Sequence, residues 1–457
     1  MRKIYLFALS FLATCLVANT ALAQSGRVVD LGANSFVSSV WYDSSNDLAW
    51  VGGSNLSGLD TATMWSVDEV DAVTPNSLSP LEQGGYGIVN SISRDGSNVA
   101  GASKSPITTT QEGTIWAFGQ WNSPQGTGFL SGGSSNSEVR GIATTGRTAG
   151  LSSGGWAFMK DMLGTITALP GLPGGTGLGT ADNISADGDV CVGNSQNFIG
   201  LAVAAQWTSG CAVAEALEDP TSLFSSAVGI SPDGSMVGGI ATDSQGGWAS
   251  AWVNGSLQFI NDDQGQKFFG IVNAVTDDGL FVGGGIFNSS QKAFVWHTSW
   301  ANAMTLEAWL QQNNVSNPPS LSSVNDVYHD GSTYHFAVEG DTSSYYVQTD
   351  DIDGGSQNPF DLSATPNPVQ PGKWVTFTLS GGEPGYPALL VLKKFYGIQL
   401  PFPVIVGVGN FNSSGELSFN RRMLPFLQGT NTYQGVTLNQ SYTELVFTPD
   451  MDLVIHY

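Results

Sequence analysis

The sequence predicts an all-β protein: a seven-bladed β-propeller with an N-terminal strand closing the last blade, followed by a small β-sandwich. Three observations lead there. A unit typified by VNSISRDGSNVAGAS, Val89 to Ser103, returns along most of the first 350 residues. The chain has 457 residues with 58 glycines and only 12% charged side chains, a composition of many turns and few solvated helices. Beyond Phe360 the repeat gives way to alternating strands separated by Pro and Gly turns.

The chain begins with Arg2 and Lys3, an apolar run from Ile4 to Val17, and Ala21-Leu22-Ala23, the pattern of a secretory signal cleaved before Gln24. Cys15 lies in LATC, a poor setting for lipid attachment. No later stretch is long and apolar enough to span a membrane as a helix. The expected organisation is a signal peptide over 1–23, the propeller over 24–349, an acidic linker over 350–359 and the sandwich over 360–457.

Seven copies of the unit define the blades. Five carry an Asp-Gly pair, at Asp95, Asp187, Asp233, Asp278 and Asp330; weaker copies centre on Asn46 and Thr145. Six intervals between Asn46 and Asp330 give a period of about 47 residues, as four-stranded blades require. Each copy opens with a short apolar strand and turns sharply. The ISPDG copy decides the turn. Pro232 has no N–H for a ladder but suits the second position of a type I turn, with Asp233 third and Gly234 as a left-handed bulge residue. The same reading gives Gly96, Gly146, Gly188, Gly279 and Gly331 a positive φ. The repeated Asp is read as a turn residue bonding nearby backbone N–H groups, in preference to a metal ligand or catalytic acid.

A second strand ends in glycine, at Gly101, Gly193, Gly239 and Gly284, and a variable polar loop follows. The third strand pairs Ala with a Trp three residues on: Ala62 and Trp65, Ala204 and Trp207, Ala249 and Trp252, Ala293 and Trp296. Residues three apart in a strand face opposite sides, so both faces are expected to be buried between neighbouring blades. A sugar-stacking row is the less favoured reading of these Trp residues. The seventh copy stops at its third strand, Ser344 to Gln348, and Val28 to Leu31 is expected to supply its outer strand.

These residues resemble the HAF-repeat family of exported bacterial proteins, whose unit reads approximately I-S-x-D-G-x-x-V-x-G followed by A-F-x-W. The resemblance covers about Val28 to Gln348, is strong at Asp187, Asp233, Asp278 and AFVW at 293–296, and departs at Thr145, which lacks the Asp and one strand residue. It implies a propeller in an exported or surface protein and transfers no catalytic residues. The C-terminal segment resembles accessory β-sandwich domains of exported bacterial proteins through SATPNPVQPGKWVTFTL and NSSGELSFN.

Ala303 to Asn313 places Met304, Leu306, Trp309 and Leu310 at helical spacing. This helix is expected to share a face with the variable loops, Ala102–Ile115, Asn194–Val203, Ala241–Trp248 and Ile286–Lys292, opposite the Asp-Gly turns. That face is the expected binding surface. Trp300 and Trp309 are its aromatic candidates, with helix-anchoring core residues as the favoured reading of each.

Only Cys191 and Cys211 follow the signal segment. In an exported protein two such cysteines pair by default, but placed in the second strand and at the start of the fourth strand of one blade they would lie roughly 9 to 10 Å apart, beyond bridging distance; the pairing is left open, and a bridge would mean that those strand boundaries shift. Asp351, Asp353 and Gly354 hint at a calcium loop, but its twelfth-position ligand is absent and a solvated linker is favoured.

The net charge of −23 argues against nucleic acid or an anionic membrane as partner. No sialidase-type Asp box is present, and the propeller offers only Arg27, Arg94, Arg140 and Arg147 for an arginine cluster. His297, His329, His335 and His456 show no metal-ligand spacing, and His329 reads as a turn residue. No GxSxG elbow supports a nucleophile. No catalytic, cofactor-binding or metal residue is assigned and no cofactor is expected. The expectation is an exported, monomeric, non-catalytic scaffold or binding protein with an unidentified protein, glycan or cell-envelope partner. The alternative is a polysaccharide-active hydrolase or lyase with carboxylates at the channel mouth. A channel lined by Ser, Asn, Gly and Thr favours binding; a carboxylate pair about 5 to 9 Å apart, one with a raised pKa, favours catalysis.

Overall fold

The computed structural model describes residues 26–131, 135–208, 210–217, 224–313, 315–350, 361–365, 374–380, 387–395, 398–410, 416–422, 429–438, 445–447 and 451–455. The signal segment, His456 and the calcium-like residues Asp351, Asp353 and Gly354 lie outside them.

Seven four-stranded antiparallel sheets follow one another along the chain, each ordered first to fourth strand. Their inner strands are Ser35–Asp43, Gly87–Ile92, Ser137–Ile142, Gly179–Ile184, Ser225–Ile230, Gly270–Val275 and Leu321–His329. This is a seven-bladed β-propeller. Its seventh sheet is completed by Gly26–Ala33, which pairs with Ser343–Asp350 with Val28 opposite Val347. The third strand of that blade runs to Asp350, two residues past the expected end. The segment Ala23–Asp351 forms one compact unit.

The Asp-Gly hairpins have the expected turn. Gly234 takes φ +78° and its N–H donates to Ser231 O at 2.9 Å, so Pro232 and Asp233 occupy the central positions. Asp233 Oδ1 accepts the N–H of Ser235 at 2.9 Å and the hydroxyl of Ser231 at 2.6 Å, and Ser231 Oγ in turn accepts the N–H of Met236 at 3.0 Å. Ser93 with Asp95 and Ser185 with Asp187 repeat the arrangement. The serine of I-S-x-D-G is therefore half of a staple that closes the hairpin. Loop length varies: Ser231 N–H donates to Met236 O, whereas Thr276 donates to Leu280 and Ala143 to Arg147, one residue shorter. The degenerate third copy thus still makes a regular hairpin. In the seventh, His329 pairs with Tyr334, so His329 is a ladder residue and only Gly331 and Ser332 turn within Asp330–Thr333.

The Ala and Trp residues of the third strands are buried. Trp65 packs with Val29, Val40 and Tyr346 between blades seven and one, while Ala62 packs with Val89 and Trp116 between blades one and two. One strand therefore serves two cores. Each such Trp contributes on the order of 2–3 kcal/mol of burial.

Two expectations need correction. Cys191 and Cys211 form a disulfide with Cα atoms 5.9 Å apart. Cys191 does open the second strand, Cys191–Gln196, but the fourth strand starts only at Val213. Cys211 belongs to the preceding turn, with φ +66°, and curls back over the strand end instead of continuing the ladder two strands away. The helix is also shorter than expected. Met304–Thr305 is the outer strand of blade six, and helix α1 spans Leu306–Gln312, with the Thr305 hydroxyl accepting the N–H of Ala308. Trp309 is buried against Trp300, Tyr334 and Phe336, so α1 packs into the groove between blades six and seven, while Glu307 in its first turn bonds Lys292 and Leu321 at the loop-face ends of their strands. Both aromatic candidates are thereby packing residues.

The segment Ile352–Tyr457 belongs to a second unit. Its strands make a three-stranded and a five-stranded antiparallel sheet. In Trp374–Ser380, Val375, Phe377 and Leu379 are buried in alternation, and Phe377 packs on Tyr433 of the other sheet at 4.7 Å between ring centres.

Candidate functional site

The axial channel is built from one repeated irregularity. Every inner strand carries a β-bulge at an equivalent position, at Ser38, Asn90, Arg140, Asp182, Val228, Asn273 and Asn325, and the seventh has a second register shift at Ser322. A bulge leaves one residue out of the ladder and re-aims its side chain, here toward the axis. Gly141 and Gly229, directly after two of these residues, let neighbouring inner strands approach: a Cβ at Gly141 would lie 2.9 Å from Ile184 N, and one at Gly229 would lie 2.7 Å from Asn273 O.

The bulged side chains join one blade to the next. Asn325 Nδ2 donates to Val37 O at 2.6 Å, Ser38 Oγ to Val89 O at 2.6 Å, and Asn90 Nδ2 to Val139 O at 2.8 Å. Asn273 Nδ2 donates to Val324 O at 2.8 Å, and Arg140 makes an ion pair with Asp182. Each receiving carbonyl belongs to the residue just before the next bulge. The ring thus runs from blade six through seven, one, two and three to four. A second set of bonds near the Asp-Gly turns covers the remaining sector: Thr144 N–H donates to Ala186 O, Ala186 N–H to Pro232 O, and Asp233 N–H to Asp277 Oδ1, each within 2.9 Å.

The channel encloses a cavity of about 630 Å³ whose wall is rich in Ser and Asn, among them Ser91, Asn183, Ser322 and Ser323. Of its carboxylates, Asp182 is held by the Arg140 and Thr180 side chains, and Asp326 and Glu339 are engaged by backbone. Asp326 accepts Ser39 Oγ at 2.8 Å, Val40 N–H at 2.9 Å and Val327 N–H at 2.9 Å. Burial pushes its carboxyl above the usual range, with Val40, Ser39 and Arg94 opposing. Glu339 accepts Val37 N–H at 2.7 Å, and burial raises it too. The two grip one strand at positions three residues apart, roughly 10 Å along it. Arg94 reaches from blade two past blade one to Val327 O and His329 O, both at 3.3 Å, with its guanidinium 4.1 Å from the Tyr328 ring centre. Burial lowers its pKa while Asp326 and Tyr328 raise it.

Arg140 also lines the channel, whereas Arg27, Arg147 and the described histidines do not. Arg27 bonds Gln348 and Asp71 at the closing strand, and Arg147 bonds Asp189 beside an Asp-Gly turn. His297 lies between Ser299 Oγ and Asp278 O, and His335 between Tyr346 and Asp330. Among the described residues, no group of three or more His, Cys, Asp and Glu could hold a metal ion.

The loop face has a feature that sequence reasoning missed. Exposed apolar side chains concentrate at its tips, including Leu59, Ile107, Trp156, Phe198, Ile199 and Phe269; Ile107 is 79% exposed. The opposite face exposes Val70, Met162, Leu163 and Val213, all in turns between third and fourth strands or at their end. Trp156 lies over Gly177, and Phe198 stands beside Gly174, so the Gly-rich connection from blade three to four ties two of these tips together. The sequence signal was an apolar residue inside an otherwise polar, variable loop.

Fold and site define a propeller with a polar, mutually bonded channel and an apolar-tipped loop face. No family model matches the chain, and no curated protein matches it. Among solved structures, TolB from Acinetobacter baumannii is similar at 11% identity and a TM-score of 0.36, over 64% of this chain and 77% of that one. A fungal alcohol oxidase of the AA5 family, in complex with copper, is similar at 11% identity and a TM-score of 0.38, over 94% and 99%. Neither likeness brings a partner, substrate or metal to this chain; the fold rests on its own strand pairing. Among the described residues, no helix is long and apolar enough to cross a membrane.

Proposed function

We propose that this is an exported, non-catalytic binding propeller that engages a protein partner through its loop face. The observation that carries the reading is the asymmetry of exposed apolar side chains, which crowd the tips of the variable loops. Exposed apolar groups on variable loops over a rigid scaffold are the usual makings of an interaction surface. The N-terminal signal pattern and the resemblance of the repeat to HAF units support export. The wealth of Ser and Asn in the channel and the backbone bonds of Asp326 and Glu339 favour binding over hydrolysis, because both carboxylates are already committed to holding the inner strand of blade one.

The test is affinity capture from cell-envelope proteins, purified envelope glycan and intact cells, using the mature protein and a Phe198→Ser/Ile199→Ser variant. Protein capture by the mature chain that the variant loses supports the reading. Capture only by glycan, or protein capture equal in both, overturns it.

A further inference from the structure

One corner of the channel mouth carries a charge that no cation balances. Glu339 lies on the second strand of blade seven, lines the cavity and pairs with Ser323, two residues before the bulge at Asn325. The same ladder position holds Ser54, Ala102, Leu151, Asn194, Ile240 and Gly284 in the other blades, so a charge stands there only in the seventh. Glu339 Oε1 accepts Val37 N–H at 2.7 Å. Oε2 has the hydroxyl of Ser344 at 3.2 Å, but the single hydrogen of that hydroxyl has Ser35 O closer, at 2.8 Å. Burial raises the Glu339 carboxyl, and among the described residues no cation offsets it. The two arginines of the wall are occupied elsewhere: Arg140 is shared between Asp182 and Glu138, and Arg94 bonds Val327 O and His329 O near the Asp-Gly turns. Lys292 is taken by Glu307 at 2.8 Å.

We propose that this corner binds an organic cation, an ammonium or guanidinium group. Three features around Glu339 fit that chemistry. Oε2 is an ionisable acceptor in a partly buried setting, where a charge-assisted bond from an N–H donor is stronger than in water. Phe36 adjoins the peptide that Glu339 holds, lies on the cavity wall and is 42% exposed, and aromatic rings attract cations to their faces. Gln291, also on the wall, donates Nε2 to Ser322 O at 3.1 Å, and Ser322 Oγ donates to Glu339 O at 3.1 Å. Gln291 thus belongs to the same corner, and its Oε1, which has no protein partner among the described residues, is a second acceptor for N–H groups. An anion is repelled here, and an uncharged ligand leaves Glu339 as it was. The volume of about 630 Å³ falls within the range of small-molecule sites. The cation can be a free amine or the lysine or arginine side chain of a protein seated on the loop face. The inference does not depend on the apolar loop tips.

The experiment is ligand-observed NMR and calorimetry on the mature full-length chain. Butylamine and choline stand for a free amine, the blocked amides of lysine and arginine for a partner's side chain, and butanol and butyrate are the uncharged and anionic controls. Glu339→Gln keeps an oxygen for Val37 N–H and removes the charge; Phe36→Leu removes the ring at an exposed position. At least one cation is expected to bind in preference to both controls, with affinity about ten-fold weaker or worse in Glu339→Gln and weakened in Phe36→Leu. Preference for the amines assigns a small ligand, and preference for the blocked amides assigns a protein side chain. The Phe198→Ser/Ile199→Ser variant is expected to bind the cation as the parent does, which separates this corner from the loop tips. No cation binding by the folded parent, equal affinity for the controls, or undiminished binding in folded Glu339→Gln overturns the proposal. Should Glu339→Gln not fold, undiminished binding in Phe36→Leu overturns it instead.

Discussion

Val28 stands directly opposite Val347 in an antiparallel pair, so the strand that opens the propeller forms the outer edge of its last blade. Residues more than 300 positions apart thus lock the ring. Arg27 strengthens the lock, donating to Gln348 Oε1 at 2.7 Å and to Asp68 O at 2.7 Å in blade one.

Deleting Arg27–Gly32 removes this strand, buried Val29 and Leu31, and the Arg27 contacts. A loss of more than about 4 kcal/mol is expected, because a buried sheet edge becomes exposed. Urea and thermal melts check it, and an unchanged midpoint contradicts closure by this strand.

Asp233→Ala removes the acceptor for the Ser231 hydroxyl and for Ser235 N–H. A cost of about 1–2 kcal/mol is expected at neutral pH. Burial opposes ionisation of Asp233, but the Ser231 and Ser235 bonds win and hold its pKa below the usual 3.8. Its stabilisation is therefore present above that value and lost as pH falls through the lower, folded one. The gap between parent and variant should close in strong acid; a gap independent of pH shows that the carboxylate is not the stapling group.

Reduction, or Cys191→Ala with Cys211→Ala, opens a loop of 20 residues. About 3 kcal/mol of stability should be lost. Cys191→Ala with Cys211→Gly should recover part of it, because glycine tolerates the left-handed conformation at position 211. Chemical denaturation of the three forms ranks them, and equal stability of all three contradicts the account.

His335 is buried and stacks on Tyr42 at 4.2 Å between ring centres. Burial holds its pKa below the usual 6.5, although Asp330 pulls the other way. The unfolded chain then takes up a proton that the folded one refuses, so stability falls as pH drops from 6.5 toward the folded value. Burial of Asp326 and Glu339 acts with the opposite sign, since their raised pKa values favour the folded state as acid neutralises them. His335→Gln should flatten the decline just below pH 6.5. A slope identical to the parent's would place its origin in other groups.

Of the candidate site, only the loop face was legible in the sequence, and only as a location. The strand-order argument put the variable loops on one side, but nothing in the sequence distinguishes exposed Phe198 and Trp156 from the apolar residues that are buried. The bulge ring was hidden for a different reason. Polar residues alternating with Val89 or Val272 look like the solvated side of any strand, and nothing local distinguishes one that crosses to the next blade.

The sequence by itself determined the number of blades, the hairpin that opens each, the paired burial of Ala and Trp, and the closing strand. All of these rest on local periodicity or turn chemistry repeated often enough to be compared. Tertiary structure decided what depends on distance between copies. Asn90 meets Val139 O across 49 residues because a bulge turns it toward the axis, Cys211 meets Cys191 because a left-handed turn folds it back, and Trp309 is claimed by the groove between two blades. Helical spacing and strand count could not reveal these contacts, because each depends on where a neighbouring element ends and on which way one residue is turned there.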